Sequence, residues 1–183
     1  MKIKKIVDIC RRSGRIVLMN DEAGRQWLGD GVGCYPLLDA PLFDEESLYA
    51  TFDITEKQQE NIIFQFEEQL PEKLCFADSC DGETFAERND IAFYYKGEAY
   101  HVYHSAAGAL YVKAKYLNPL PKDGLEIYQR QTESGTPYFV CKMGYMIQAL
   151  MMPTYLDDNK EFAKHLDFLH EQSLKNRKVQ GNE

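Results

Sequence analysis

The chain has 183 residues, of which 44% are apolar, and its net charge is −8. This length and composition suit one domain with its own hydrophobic core. Because no run of 18 apolar residues and no apolar signal-peptide core occurs, we expect neither a membrane span nor export, and predict a cytoplasmic protein.

The charge is unevenly distributed along the chain. Residues 39–90 hold fifteen Asp and Glu against three Lys and Arg, whereas residues 1–38 hold seven basic against four acidic side chains. An acidic stretch repels nucleic acid and attracts a basic partner, although a solvated face kept for solubility has the same composition. The sequence therefore favours a basic protein partner over a nucleic-acid partner for this stretch.

The N-terminal residues predict a helix followed by an antiparallel meander. Residues 3–13 carry one apolar stripe at helical spacing, and Gly14 stands where a helix stop is expected. We expect Asp8 to pair with Lys4 and Arg12 on the outer side of this helix. We also expect Trp27 to pack the meander against it. β-branched residues and turn glycines predict three strands, at residues 15–19, 25–28 and 32–37.

The acidic middle predicts short helices, one strand and a loop. Asp44 is a candidate N-cap for a helix over residues 45–51, and Thr55 caps a second helical turn through Glu60. Residues 62–66 resemble a strand. The weak pattern of residues 74–89 predicts a loop.

The C-terminal half predicts an antiparallel sheet of hairpins and a closing helix. Asp158 and Glu161 form a candidate capping box for a helix in which Phe162, Leu166 and Leu169 share one face. The predicted strands cover residues 91–95, 100–104, 109–115, 125–131, 138–143 and 145–150.

The predicted fold class is therefore α+β. The elements in order are an N-terminal helix with an antiparallel meander, an acidic middle, a strand-rich antiparallel sheet and a C-terminal helix. We expect one domain over residues 1–175, with 1–70 and 90–175 as its parts if it divides, and a frayed tail over residues 176–183.

No catalytic or metal-binding motif stands out. The five cysteines are odd in number and widely spaced, so we expect reduced thiols. Cys75 and Cys80 lack a second pair at zinc-site spacing, and His101 and His104 should point to opposite faces of a strand. We predict no catalytic residue, metal or cofactor. The alternative is a cysteine- or metal-dependent hydrolase within residues 75–116.

The N-terminal basic residues suggest another alternative. Lys5, Arg11, Arg12 and Arg15 are candidates for direct DNA or RNA contact, which would make the protein a nucleic-acid-binding regulator. The tyrosine-rich C-terminal strands have few interleaved Lys or Arg, which disfavours a dedicated RNA-binding sheet.

Residues 5–55 resemble small proteins carried on phages, plasmids and conjugative elements of gut Firmicutes, among them the type II-A anti-CRISPR proteins that inhibit Cas9. The resemblance rests on five short segments, and no binding residue transfers from it position by position. These segments are residues 6–10 (IVDIC), 14–18 (GRIVL), 26–31 (QWLGDG), 35–37 (YPL) and 43–46 (FDEE).

The resemblance implies a non-enzymatic protein that inhibits a CRISPR-Cas9 nuclease by stoichiometric binding in the cytoplasm of a bacterial host cell. Cas9 holds nucleic acid in basic channels, which an acidic segment would fit, and guide RNA or DNA would face the basic N-terminal helix. Aromatic and charged residues dominate such interfaces. The partner-binding residues predicted on this basis are Glu45, Glu46, Tyr49, Phe52, Asp53 and Phe64.

Overall fold

The computed structural model describes residues 2–105, 108–156 and 160–180, the last five by their backbone alone. These residues form four α-helices, eleven strands and a 3-10 turn, which confirms the α+β class. The helices are α1 (Ile3–Ser13), α2 (Glu45–Thr51), α3 (Glu56–Gln59) and α4 (Lys160–Gln180), and the 3-10 turn covers Ala114–Leu117. The strands are β1 (Arg15–Asn20), β2 (Gln26–Gly29), β3 (Gly33–Pro36), β4 (Ile63–Glu67), β5 (Thr84–Phe85), β6 (Glu87–Tyr95), β7 (Glu98–Ser105), β8 (Gly108–Lys113), β9 (Leu125–Gln131), β10 (Pro137–Met143) and β11 (Met146–Met151).

The strands form two sheets. The large sheet has the order β4-β1-β2-β3-β11-β10-β9-β5, so the predicted meander and the last three long strands belong to one sheet. The small sheet has the order β6-β7-β8 and is antiparallel. The sequence predicts no pairing direction for the strand at residues 62–66, and in the structure β4 lies parallel to β1 with Arg15 opposite Ile63. The two short helices α2 and α3 lie in the crossover that a parallel pair requires.

Three hydrophobic layers hold these elements together. One face of the large sheet packs against α1, α2 and one face of the small sheet, with Leu18, Leu48 and Val112 among the buried residues. The other face of the small sheet packs against α4 through Val102 and Leu166. A separate cluster covers the opposite face of the large sheet.

Trp27 belongs to that separate cluster, which corrects the expectation that it packs against α1. Its ring meets Phe76 edge to face at 4.9 Å, and Leu28 takes the place next to the helix. Adjacent residues of a strand point to opposite faces, so the neighbour of Trp27 must face α1.

Several local expectations also change. Residues 74–89 contain β5 and the start of β6, and residues 114–115 belong to the 3-10 turn instead of β8. Asp8 pairs with Arg11 at 2.9 Å rather than with Lys4 and Arg12.

The C-terminal helix departs from its predicted pattern. Leu169 is half exposed, and the next buried position after Leu166 is His170, one helical turn further on. The helix extends to Gln180, and no Pro or Gly interrupts residues 160–180. Fraying of residues 176–183 stays a prediction. The proposed cap Asp158 lies outside the described residues.

Candidate functional site

The start of α2 fixes the position of two of the predicted partner-binding carboxylates. The Asp44 carboxylate accepts a hydrogen bond from the Ser47 backbone N–H at 2.8 Å, and the Ser47 hydroxyl accepts one from the Asp44 N–H at 2.9 Å. The hydrogen bonds from Ser47 lower the pKa of Asp44. This reciprocal capping places Glu45 and Glu46 in the first turn, where the helix dipole stabilises anions, and both are exposed.

Asp53 joins them beyond the other end of α2. It adopts a left-handed backbone conformation with φ of 52°, and its side chain is exposed. Glu45, Glu46 and Asp53 surround one shallow depression, and we call these three residues the acidic corner. None of the ion pairs among the described residues includes a member of the acidic corner.

The three predicted aromatic contacts pack into the core beneath this corner. Tyr49 is 8% exposed and meets Phe64 edge to face at 5.9 Å, and Phe52 lies 5.9 Å from Phe43. Burial, together with the hydrogen bond to Glu45, raises the pKa of Tyr49 to about 12. A partner at this surface therefore meets the carboxylates first, while Tyr49, Phe52 and Phe64 support the backbone that carries them.

The structure does not assemble the four predicted nucleic-acid contacts into one face. Lys5 donates to the Asn118 carbonyl at 3.1 Å, Arg11 is paired with Asp8, and Arg12 is exposed on the same helix. Arg15 points to the opposite face of the large sheet with Val17 and Met19, and donates to Gln65 at 2.7 Å. The alternation of side chains along β1 separates Arg15 from α1.

The acidic stretch is also divided. The Glu83 carboxylate lies between Arg130, at 2.6 Å, and Lys142, and its side chain is only 13% exposed. Asp78 accepts a hydrogen bond from the Ile147 backbone at 3.0 Å. These acids hold the chain to the large sheet. Residues 39–90 therefore do not present one continuous acidic surface, and the acidic corner is one local part of this stretch.

Arg130 has a structural role that sequence reasoning missed. Its side chain is 1% exposed, and one guanidinium nitrogen donates to the carbonyls of Cys75 and Ala77, both at 2.8 Å. Nothing in the local pattern of β9 distinguishes this arginine from a solvent-exposed one. Its burial follows from residues 75–83 folding over the sheet.

The residues just before and at the start of that segment, 69–76, border an apolar groove of about 490 Å³ on the large sheet. Val17, Met19 and Leu150 form part of its floor, and Leu70 and Leu74 belong to the segment that borders it. Arg15, Gln65 and Glu67 stand at its polar end, where Gln65 donates to Glu67. The charges there are mixed in sign, so they do not select one class of ligand.

All five cysteines are free thiols, and the surroundings of four of them disfavour a thiolate nucleophile. Burial raises the pKa of Cys10 and Cys141, and raises that of Cys34 to about 12. Cys75 and Cys80 lie side by side, and burial and the hydrogen bond between them raise the pKa of Cys80. A nucleophilic cysteine needs the opposite shift.

His104 and His170 form a pair that the sequence did not reveal. His104 Nδ1 lies 3.1 Å from Nε2 of His170, which is buried on α4. His101 points to the opposite face of β7 from His104, as predicted. The side-chain amide nitrogen of Asn89 lies 3.0 Å from the other ring nitrogen of His170. The side-chain oxygen of Asn89 accepts a hydrogen bond from the Ser173 hydroxyl at 3.1 Å. This chain of hydrogen bonds joins α4 to the small sheet.

Among the residues that the structure describes, no three His, Cys, Asp or Glu side chains converge as a metal site. The described helices include none that is long and apolar enough to cross a membrane. No family model, curated protein or solved structure matches this chain.

Proposed function

We propose that this protein is a non-enzymatic binding protein that engages a basic protein surface through the acidic corner. One observation carries the proposal. Three exposed carboxylates surround a single depression, and no Lys or Arg in the described part of the chain forms an ion pair with them.

The geometry of the acidic corner suits recognition because its backbone is held in place before any partner arrives. Leu48 and Tyr49 bury the inner face of α2, and the capping box fixes its first turn. Preorganisation of this kind lowers the entropic cost of association. Repulsion among the three carboxylates is relieved when a cationic surface approaches, which also accelerates encounter at low salt.

The partner suggested by the resemblance of residues 5–55 is Cas9, whose nucleic-acid channels are strongly basic. Stoichiometric occupation of such a channel would inhibit the nuclease without any catalytic residue. The acidic corner would supply the contacts to Lys and Arg that the nucleic-acid phosphates otherwise make.

A binding experiment across salt concentrations tests this proposal. Purified protein is titrated against Cas9 with and without guide RNA, and target cleavage is measured in parallel. We expect association that weakens as salt rises, because screening at higher ionic strength reduces the attraction of exposed charges. Absence of binding at low salt, together with normal cleavage in excess protein, would refute Cas9 as the partner.

Charge variants test the site itself. We expect the double variant Glu45→Lys, Glu46→Lys to bind at least tenfold more weakly, because two attractive contacts become repulsive. Asp53→Asn removes one charge and keeps a residue that tolerates the left-handed backbone. The matched control is Glu133→Lys, an exposed acid in the β9–β10 turn. Equal loss of affinity in the control and the double variant would contradict the assignment to the acidic corner.

A further inference from the structure

A cleft that shares no residue with the acidic corner lies between the two sheets and has a volume of about 580 Å³. Strands β6 and β7 form one side, and β5 and β9 form the other. The two sides are connected at Ala86, whose N–H donates to the Ile127 carbonyl at 2.9 Å. The volume is typical of small-molecule sites, which range from about 300 to 1,000 Å³.

Cationic side chains from three distant parts of the chain line this cleft. They are Lys5 from α1, Arg88 from β6 and Lys122 from the loop before β9. Lys5 donates to the Asn118 carbonyl at 3.1 Å, and an ammonium group has three N–H donors, so this contact does not saturate it. Against the three cations the described lining holds one carboxylate, Glu126, which accepts from Tyr128 at 2.9 Å.

A neutral histidine adds a directed donor. Arg88 donates to His101 Nδ1 at 2.9 Å, and because guanidinium cannot accept a hydrogen bond, the ring proton of a neutral His101 lies on Nε2. Burial, with the positive charge of Arg88, lowers the pKa of His101, which keeps the ring neutral at neutral pH. The N–H at Nε2 can then donate to a ligand oxygen.

Apart from Asn118, the remaining lining is made of apolar and aromatic residues and includes one exposed ring. Tyr103, Leu117 and Ile127 contribute to the lining, with Tyr103 almost fully buried. Phe85 is 59% exposed and is held edge to face against Tyr128 at 5.7 Å. An exposed ring fixed in this way offers a flat surface on which another ring can stack.

We propose that this cleft binds a phosphate monoester carried on a flat aromatic group, the chemistry of a nucleoside 5′-monophosphate. Three cations and one carboxylate give the lining a net charge of +2, which complements a phosphate monoester of about −1.5 to −2 at neutral pH. Lys5, Arg88, Lys122 and the His101 N–H bind the phosphate, and Phe85 stacks on the base. The source is either a free nucleotide or the phosphorylated 5′ end of a single strand.

Calorimetric titration with adenosine 5′-monophosphate tests the proposal, with adenosine and inorganic phosphate as separate probes. Saturable binding of the nucleotide at least tenfold tighter than either probe is the expected result, because only the nucleotide engages both halves of the cleft. Nucleotide affinity no greater than that of inorganic phosphate would overturn the proposal. A single-stranded hexanucleotide with a 5′-phosphate, compared with its 5′-hydroxyl form, distinguishes the sources. Tighter binding of the phosphorylated strand than of the 5′-hydroxyl strand identifies the ligand as a strand end. Equally weak binding of the two strands, together with tight binding of the mononucleotide, identifies the ligand as a free nucleotide.

Variants separate the two halves of the site. Lys122→Gln and Arg88→Gln should each weaken nucleotide binding about tenfold, the scale of one charge-assisted hydrogen bond. Phe85→Leu should weaken nucleotide binding without changing the affinity for inorganic phosphate. Lys164→Gln is the matched control, since α4 packs on the other face of the small sheet. Unchanged affinity in both cation variants, with wild-type thermal unfolding, would overturn the proposal.

Discussion

Replacing Arg130 with Met tests whether the buried arginine holds residues 75–83 on the large sheet. Methionine keeps much of the apolar stem but removes the ion pair with Glu83 and the hydrogen bonds to the carbonyls of Cys75 and Ala77. Removing one partner of a buried ion pair costs about 3–5 kcal/mol. Because residues 75–83 can move away from the sheet and hydrate their carbonyls, and Lys142 still pairs with Glu83, we expect the lower end, about 3 kcal/mol.

The assay is urea denaturation of wild type and Arg130→Met, supported by calorimetry. For a domain of this size a loss of about 3 kcal/mol lowers Tm by roughly 6–12 °C. Arg12→Met is the matched control, since Arg12 is exposed on α1, and its effect should stay within about 0.5 kcal/mol. A loss below about 1 kcal/mol in Arg130→Met would refute the reasoning, because it would mean that the guanidinium contributes no more than an exposed ion pair.

Two further substitutions test Gly29, the last residue of β2, and Asp21 in the loop before β2. Gly29→Ala should abolish soluble folding or lower the free energy of unfolding by several kcal/mol, because a Cβ at this position would lie 2.1 Å from the Gly33 carbonyl oxygen. The control is Gly135→Ala, where a Cβ would meet open space. It should lower the free energy of unfolding by only about 1 kcal/mol, because Gly135 has a positive φ. Asp21→Asn should lower the free energy of unfolding by about 2 kcal/mol at neutral pH. Burial of Asp21 favours a higher pKa, but hydrogen bonds from Arg25 and Trp27 outweigh it and leave the pKa of Asp21 below its ordinary value of 3.8. The carboxylate therefore stabilises the fold at pH values above 3.8, and this stabilisation is lost as the pH falls through the pKa of the folded state. Denaturation curves of wild type and variant should therefore converge in strong acid, and a constant difference at every pH would contradict this account.

Local sequence patterns predicted the elements well. The apolar stripe of α1 with Gly14 at its end, the cap at Asp44 and the hairpin strands of the C-terminal half are all confirmed. Each depends on contacts within one helical turn or between strands joined by a tight turn, and such contacts can be predicted from short segments. The sequence predicts Lys5 only as a DNA or RNA contact beside Arg11, Arg12 and Arg15. It does not group Lys5 with Arg88, His101 and Lys122 of the cleft between the sheets, since these lie far away along the chain.

The amino-acid sequence by itself determined the α+β class, the uneven charge and the positions of most helices and strands. Only the tertiary structure decided which faces meet. It paired β1 with β4 in parallel, turned Arg15 and Trp27 away from α1, and buried Arg130 beneath residues 75–83. These outcomes depend on pairings between residues some fifty positions apart, such as Arg15 with Ile63 and Arg130 with Glu83. Periodicity specifies the two faces of an element, whereas the partner of each face is selected by the burial of the whole core.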